Sequence, residues 1–148
     1  MMYGELMFQA SFMVSSLGEG DIIDITPQVK KVVRESKVVE GTIHLFVQHS
    51  TAALTTIEFE PGVLSDLRRA LSVLAPDNAD YAHNSIPGYK FNEGNGRSHV
   101  KAALVGPSLT VPVQGGSLPL GTWQSIVLLE LDVNAPRERT IVCTVTGN

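Results

Sequence analysis

Thr122-Trp123-Gln124-Ser125-Ile126-Val127-Leu128-Leu129-Glu130-Leu131-Asp132-Val133 runs through the turn Asn134-Ala135-Pro136-Arg137-Glu138 into Arg139-Thr140-Ile141-Val142-Cys143-Thr144-Val145-Thr146. Both long runs are rich in β-branched and large apolar residues and show no helical period, so they read as strands. The Asn/Pro-containing turn between them predicts that they pair as an antiparallel hairpin. Just upstream, Ser108-Leu109-Thr110-Val111-Pro112-Val113 supplies a third β-rich stretch. Trp123, the single tryptophan, follows the bend at Gly121. It reads as a core anchor fixing a strand start, with its indole N–H seeking a partner.

Working toward the amino end, Ser98 to Val105 is a short helix ended by Gly106-Pro107. Val63, Leu64, Leu67, Leu71 and Leu74 fall at helical spacing between Pro61 and Pro76. Thr42 to Gln48 (TIHLFVQ) predicts a central strand covered on both faces, and the hydroxyl-rich STAALTT after it continues as a further strand toward Ile57. Thr26 is expected to cap a helix with Pro27 in its first turn and Val29, Val32 and Val33 as its buried stripe. Glu5–Ser15 reads as an edge strand and Asp21–Ile25 as a short one. Pro76 to Arg97 has no period and is rich in Asn, Gly and Tyr, which predicts an ordered, packed loop. The expected architecture is one α+β domain over 1–148, mostly a mixed or antiparallel sheet with a few helices packed on one side.

At 148 residues the chain can bury roughly two-thirds of its unfolded surface. The 43% hydrophobic content supports an ordinary core, and the net charge of −4 argues against nucleic acid as an electrostatic partner. Lys30, Lys31 and Arg34 cluster on a helix, where a solvated face explains them. A single cysteine, Cys143, excludes an intramolecular disulfide and reads as a buried, inert thiol. The amino end lacks the basic start and long apolar core of a signal peptide, and no run approaches the roughly eighteen apolar residues of a membrane span. A soluble, cytoplasmic protein with no membrane partner is expected.

The run SLTVPVQGGSLPLGTWQSI, with Ser108, Val111, Val113, Gly116 and Gly121-Thr122-Trp123-Gln124 followed by Ile126, resembles the signature of the YjbQ-like family. The resemblance extends in order to His49-Ser50-Thr51-Ala52-Ala53-Leu54-Thr55, to Pro76–His83 and to Ser98-His99-Val100-Lys101. It implies a compact α+β subunit, a homotrimer, and a histidine cluster able to hold a metal. Many such proteins carry the label of secondary thiamine-phosphate synthase, which implies joining a thiazole phosphate to a pyrimidine pyrophosphate with loss of pyrophosphate. A 148-residue chain is too short for the TIM barrel of dedicated enzymes of that kind.

Of four histidines, His44 lies inside an apolar run and reads as a hydrogen-bonded core or interface residue. His49, His83 and His99 each stand at an element end or in a polar loop. Three imidazoles from separate segments fit a site with three protein ligands and an open position. Their scattered spacing is not a metal signature by itself; the resemblance is what strengthens it. His99 begins a helix, whose positive end disfavours imidazolium and so favours the neutral, metal-binding ring. Zinc is the default divalent metal for such a set, with other transition metals open.

Glu58, after the hydroxyl-rich strand, has a better claim than Asp66 or Asp80 as general base or orienting acid, and Gln124 joins it as a catalytic candidate. Gly94, Gly96, Arg97, Ser98 and Lys101 read as an anion site, with glycine backbone and a helix start to receive a phosphate. The combined expectation is a small metal-dependent enzyme acting on a phosphorylated molecule, with thiamine-phosphate synthesis as a side activity. A non-catalytic trimeric metal- or ligand-binding protein and a metal-dependent hydrolase are the alternatives.

Overall fold

The computed structural model describes residues 4–87 and 94–148. The elements run β1 (Leu6–Ser15), β2 (Ile22–Asp24), α1 (Thr26–Ser36), β3 (Gly41–Val47), β4 (Ala52–Ile57), α2 (Pro61–Leu74), α3 (Gly96–Val105), β5 (Ser108–Val113), β6 (Ser125–Glu130) and β7 (Glu138–Gly147). A 3-10 turn over Ala82–Ser85 precedes α3. Of the long segment expected to pack as a loop, 88–93 lies outside the described residues.

The fold is α+β, with two antiparallel sheets rather than one, ordered β1-β7-β3-β5 and β2-β6-β4. The expected β6–β7 hairpin is therefore absent: the chain crosses from one sheet to the other between the two strands. Burial explains why. β6 is buried on both faces from Ile126 to Glu130, and such a strand needs a central place in a sheet covered on both sides. β7 alternates, with Ile141, Cys143 and Val145 inside and Thr140, Val142, Thr144 and Thr146 partly exposed, which suits a one-sided sheet.

The small sheet is the middle layer. On one side Leu54, Ile126 and Leu128 pack with Ile43, Leu45, Ile141, Cys143 and Val145 of the four-stranded sheet. On the other, Ala53, Val127 and Leu129 meet Leu64 and Leu71 of α2 and Ala102 of α3. Each fully buried aliphatic side chain contributes about 1.5–3 kcal/mol relative to exposure, so this double coverage dominates the fold's stability. α1 departs from the one-sided expectation, since Val29, Val32 and Val33 join the core between the sheets.

Local details correct four further expectations. β3 is one-sided: Ile43, Leu45 and Val47 are buried while Thr42, His44 and Phe46 lie on the open face. His44 is thus not a core residue, although its Nδ1 does hydrogen-bond Thr110 Oγ1 across to β5, at 3.0 Å. Thr26 does not cap α1; Asp24 Oδ1 accepts its amide at 2.9 Å, and its own hydroxyl accepts Ile126 N–H at 2.9 Å. Trp123 is 74% exposed and anchors nothing in the core. Gln124 fixes that bend instead, accepting Gly121 N–H at 3.1 Å and donating to Thr56 Oγ1 at 3.1 Å.

Candidate functional site: a three-histidine cleft

His49, His83 and His99 come together in a cleft of about 550 Å³, with Ser50, Thr51, Asn95, Asp132, Arg137 and Arg139 among its other lining residues. Three elements deliver them. His49 leaves the end of β3 beside β7, His83 sits in the 3-10 turn, and His99 is in the opening of α3. The His83 and His99 rings meet edge to face, with centroids 4.7 Å apart.

Hydrogen bonds assign the protons. His49 Nε2 accepts the Thr140 backbone N–H at 3.1 Å, so its neutral ring carries the proton on Nδ1. His83 Nε2 lies 3.0 Å from Asn95 Oδ1, an acceptor, which puts the His83 proton on Nε2 and the lone pair on Nδ1. Partial burial lowers the pKa of His49, and the charges of Arg139 and Arg137 lower it further against the pull of Glu130. Burial likewise lowers that of His99, helped by His83, while Asp132 and a hydrogen bond with the Ser50 backbone act in the opposite sense. The site therefore keeps these two rings in the neutral form that carries a lone pair.

Beneath the histidines lies an ionic floor that the sequence reading did not single out. Arg139 and Glu130 are both fully buried, paired through Nε–Oε1 at 2.9 Å and through Nη2–Oε2. Arg139 Nη2 also donates to Thr51 Oγ1 at 2.9 Å, and that hydroxyl donates to Asp132 Oδ2 at 3.0 Å. Asp132 in turn holds Arg137 Nη1 at 2.6 Å. Burial pushes the Asp132 carboxyl up, but the Asn134 amide, Arg137 and Thr51 together hold it below its ordinary value, so it stays ionised. Among the described residues, Arg139 Nη1 is the buried side-chain polar atom left without a hydrogen bond. The available signal was the acidic alternation Glu130-Leu131-Asp132 inside an otherwise apolar strand end, followed by two arginines.

The other candidates lie elsewhere. Arg97 is held by Glu19 (Nε–Oε1 2.9 Å) and Asp77 (Nε–Oδ1 3.2 Å) and does not line the cleft. Lys101 is buried on α3 and lines a different cavity. Gly96 N–H is taken by Asn84 Oδ1 at 2.9 Å, and a Cβ at Gly96 would stand 2.5 Å from that of Tyr81, so this glycine serves close packing. Gly94 takes a left-handed φ of 74° at the turn into α3. Ser98 is buried and its Oγ accepts Val133 N–H at 3.3 Å, tying α3 to the segment that carries Asp132. Glu58 is exposed and Gln124 lies beside another depression with Lys30 and Arg34; neither lines the cleft of its own chain. In the cleft, the cationic handle is Arg137 rather than Arg97 or Lys101.

Among the described residues no three His, Cys, Asp or Glu side chains are grouped so as to hold a metal ion, while imidazole nitrogens such as those of His83 and His99 are of the donor type that suits a divalent transition metal. His49 fits once its Nε2 gives up Thr140; with that bond in place it is a hydrogen-bond donor through Nδ1.

Two stacked antiparallel sheets, helices on the small sheet's outer side and a three-histidine cleft at the sheet ends define a small α+β protein with a polar cleft. The chain belongs to the family described as UPF0047 protein YjbQ-like, whose model matches residues 10–148. A UPF0047 protein of Methanothermobacter thermautotrophicus is 42% identical over 127 residues, covering 86% of this chain and 83% of that one. UPF0047 protein YugU of Bacillus subtilis is 33% identical over 128 residues, covering 86% and 90%. Among solved structures, a YbjQ-like protein of unknown function from Sulfolobus solfataricus superimposes with a TM-score of 0.88 at 32% identity, covering 98% of this chain and 100% of that one. Among the described residues, no helix is long and apolar enough to cross a membrane.

Proposed function

We propose that this chain is a small metal-dependent enzyme acting on a phosphorylated small molecule in the His49–His83–His99 cleft, and that it works as a homotrimer. The observation that carries the reading is the meeting of three histidines from separate segments, two of them with lowered basicity, beside Arg137. A metal here, zinc by default, would polarise a bound oxygen and neutralise developing negative charge. His83 and His99 would hold it. Arg137, whose side chain is 44% exposed, receives the anionic group while Asp132 orients its guanidinium from below. His49, with its proton on Nδ1, would donate a hydrogen bond that positions that group. The thiamine-phosphate condensation implied by the resemblance enters as one substrate pair in the assay, since its pyrophosphate leaving group needs cationic neutralisation.

The test is metal analysis of purified protein after exposure to zinc, with His83→Ala, His99→Ala and His44→Ala beside the unaltered chain. Retained zinc that is lost in the first two variants and kept in the third supports the reading. Protein that takes up no zinc overturns the metal. Zinc retention without turnover of any phosphorylated substrate favours the non-catalytic binding protein.

A further inference from the structure

On the other side of α3 from the histidine cleft lies a second, smaller cavity of about 210 Å³. Its base is aliphatic: Ile22 of β2, Leu67 and Leu71 of α2, Leu129 of β6, and Leu131. Lys101 lines it and is 6% exposed. No hydrogen bond or ion pair joins its ammonium to any described residue. Lys101 Nζ is not among the buried polar atoms left without a hydrogen bond, so its stem lies along the apolar wall while the ammonium keeps contact with water at the cavity, where an arriving anion can meet it.

The charges at the rim decide what that partner is. Glu19 and Asp77 are the acids there, and Arg97 engages both, Glu19 through two nitrogens at 2.9 and 3.0 Å. Arg68 commits its Nε to the Gly20 carbonyl at 2.6 Å. With the acids satisfied, Lys101 leaves the cavity one cation in excess over a hydrocarbon base. The volume falls below the roughly 300–1,000 Å³ of drug-sized ligand sites. We propose that this cavity binds a small amphiphilic monoanion, a short aliphatic carboxylate, with its headgroup on Lys101 and its hydrocarbon body against Leu67, Leu71 and Leu129. This site is separate from the histidine cleft and does not depend on the function proposed for it.

Hexanoate is a suitable probe, titrated into the purified chain by calorimetry, with 1-hexanol and hexylamine as matched controls. Saturable binding of hexanoate is expected, with hexanol weaker and hexylamine absent. Lys101→Met should weaken hexanoate by at least about tenfold, the loss of a charge-assisted hydrogen bond. Leu67→Phe, which fills the cavity and leaves Lys101 in place, should also block the probe. His99→Ala should bind hexanoate unchanged, and Lys101→Met should keep its zinc, which separates this site from the cleft. No saturable hexanoate binding, binding indifferent to both Lys101→Met and Leu67→Phe, or equal binding of hexylamine overturns the proposal.

Discussion

The Thr140 amide bonded to His49 Nε2 makes protonation of that ring expensive, because the incoming proton must displace the amide while Arg139 and Arg137 repel the new charge. Both His49 and His99 lie below their ordinary value of 6.5 in the folded chain. A depressed histidine makes the unfolded chain the stronger proton acceptor. Its contribution is intact above pH 6.5, begins to fall as pH drops through that value, and is fully lost once pH is below the folded-state value. Urea midpoints of metal-free protein should therefore fall between about pH 7.5 and 5.5, and His49→Gln should flatten the slope. An unchanged slope in that variant would remove His49 from the account. Arg139 offers the second test at this scale. Arg139→Met leaves Glu130 charged and fully buried, a loss of about 3–5 kcal/mol in denaturation experiments. Adding Glu130→Leu should restore most of it, because burying neither charge avoids the desolvation of both. The sequence showed the histidines but not this pair: periodicity places a residue on a face, and only the crossing between sheets brings 130 opposite 139.

At the scale of elements, what could be read from the chain was each strand's own burial, not its neighbour. α2 has the limits set by Pro61 and Leu74, since proline at a helix start and before its continuation acts locally. Its cap, Glu60, accepting Gly62 and Val63 amides at 2.7 and 2.8 Å, carried no signal in that reading. β6 and β7 were legible as strands, yet their pairing was not, because a sheet-to-sheet crossing and a hairpin turn use the same Asn and Pro residues. The register of β3 against β7 sets Gly41 opposite Gly147. A Cβ on Gly41 would stand 1.9 Å from the Thr146 carbonyl oxygen, backbone that no rotamer change relieves. Gly41→Ala is expected to cost at least the roughly 1–3 kcal/mol of an overpacked core site, read as a lower urea midpoint at unchanged m-value. A midpoint equal to that of the parent would show that β3 and β7 can separate without loss.

For the whole molecule, the four-stranded sheet raises the question of what covers its outer face. β1 is an edge strand of ten residues, with Met7 and Met13 exposed at 68% and 60%. Phe46 adds a further exposed aromatic on β3. A long edge strand with exposed apolar side chains recruits other chains without limit unless something occupies it. A closed cyclic assembly provides that limit, because every edge is used and none is left over. The homotrimer proposed above meets this need, and it would set the Trp123 bend, exposed in one chain, against a neighbour. Sedimentation equilibrium at micromolar concentration should then give about three times the 15.9 kDa chain mass. Met13→Lys with Phe46→Lys should lower that mass if the open face is the contact, and Trp123→Ala should do so if the bend is. A parent protein that sediments at 15.9 kDa removes the trimer, and the exposed edge then predicts concentration-dependent aggregation that the two lysines suppress.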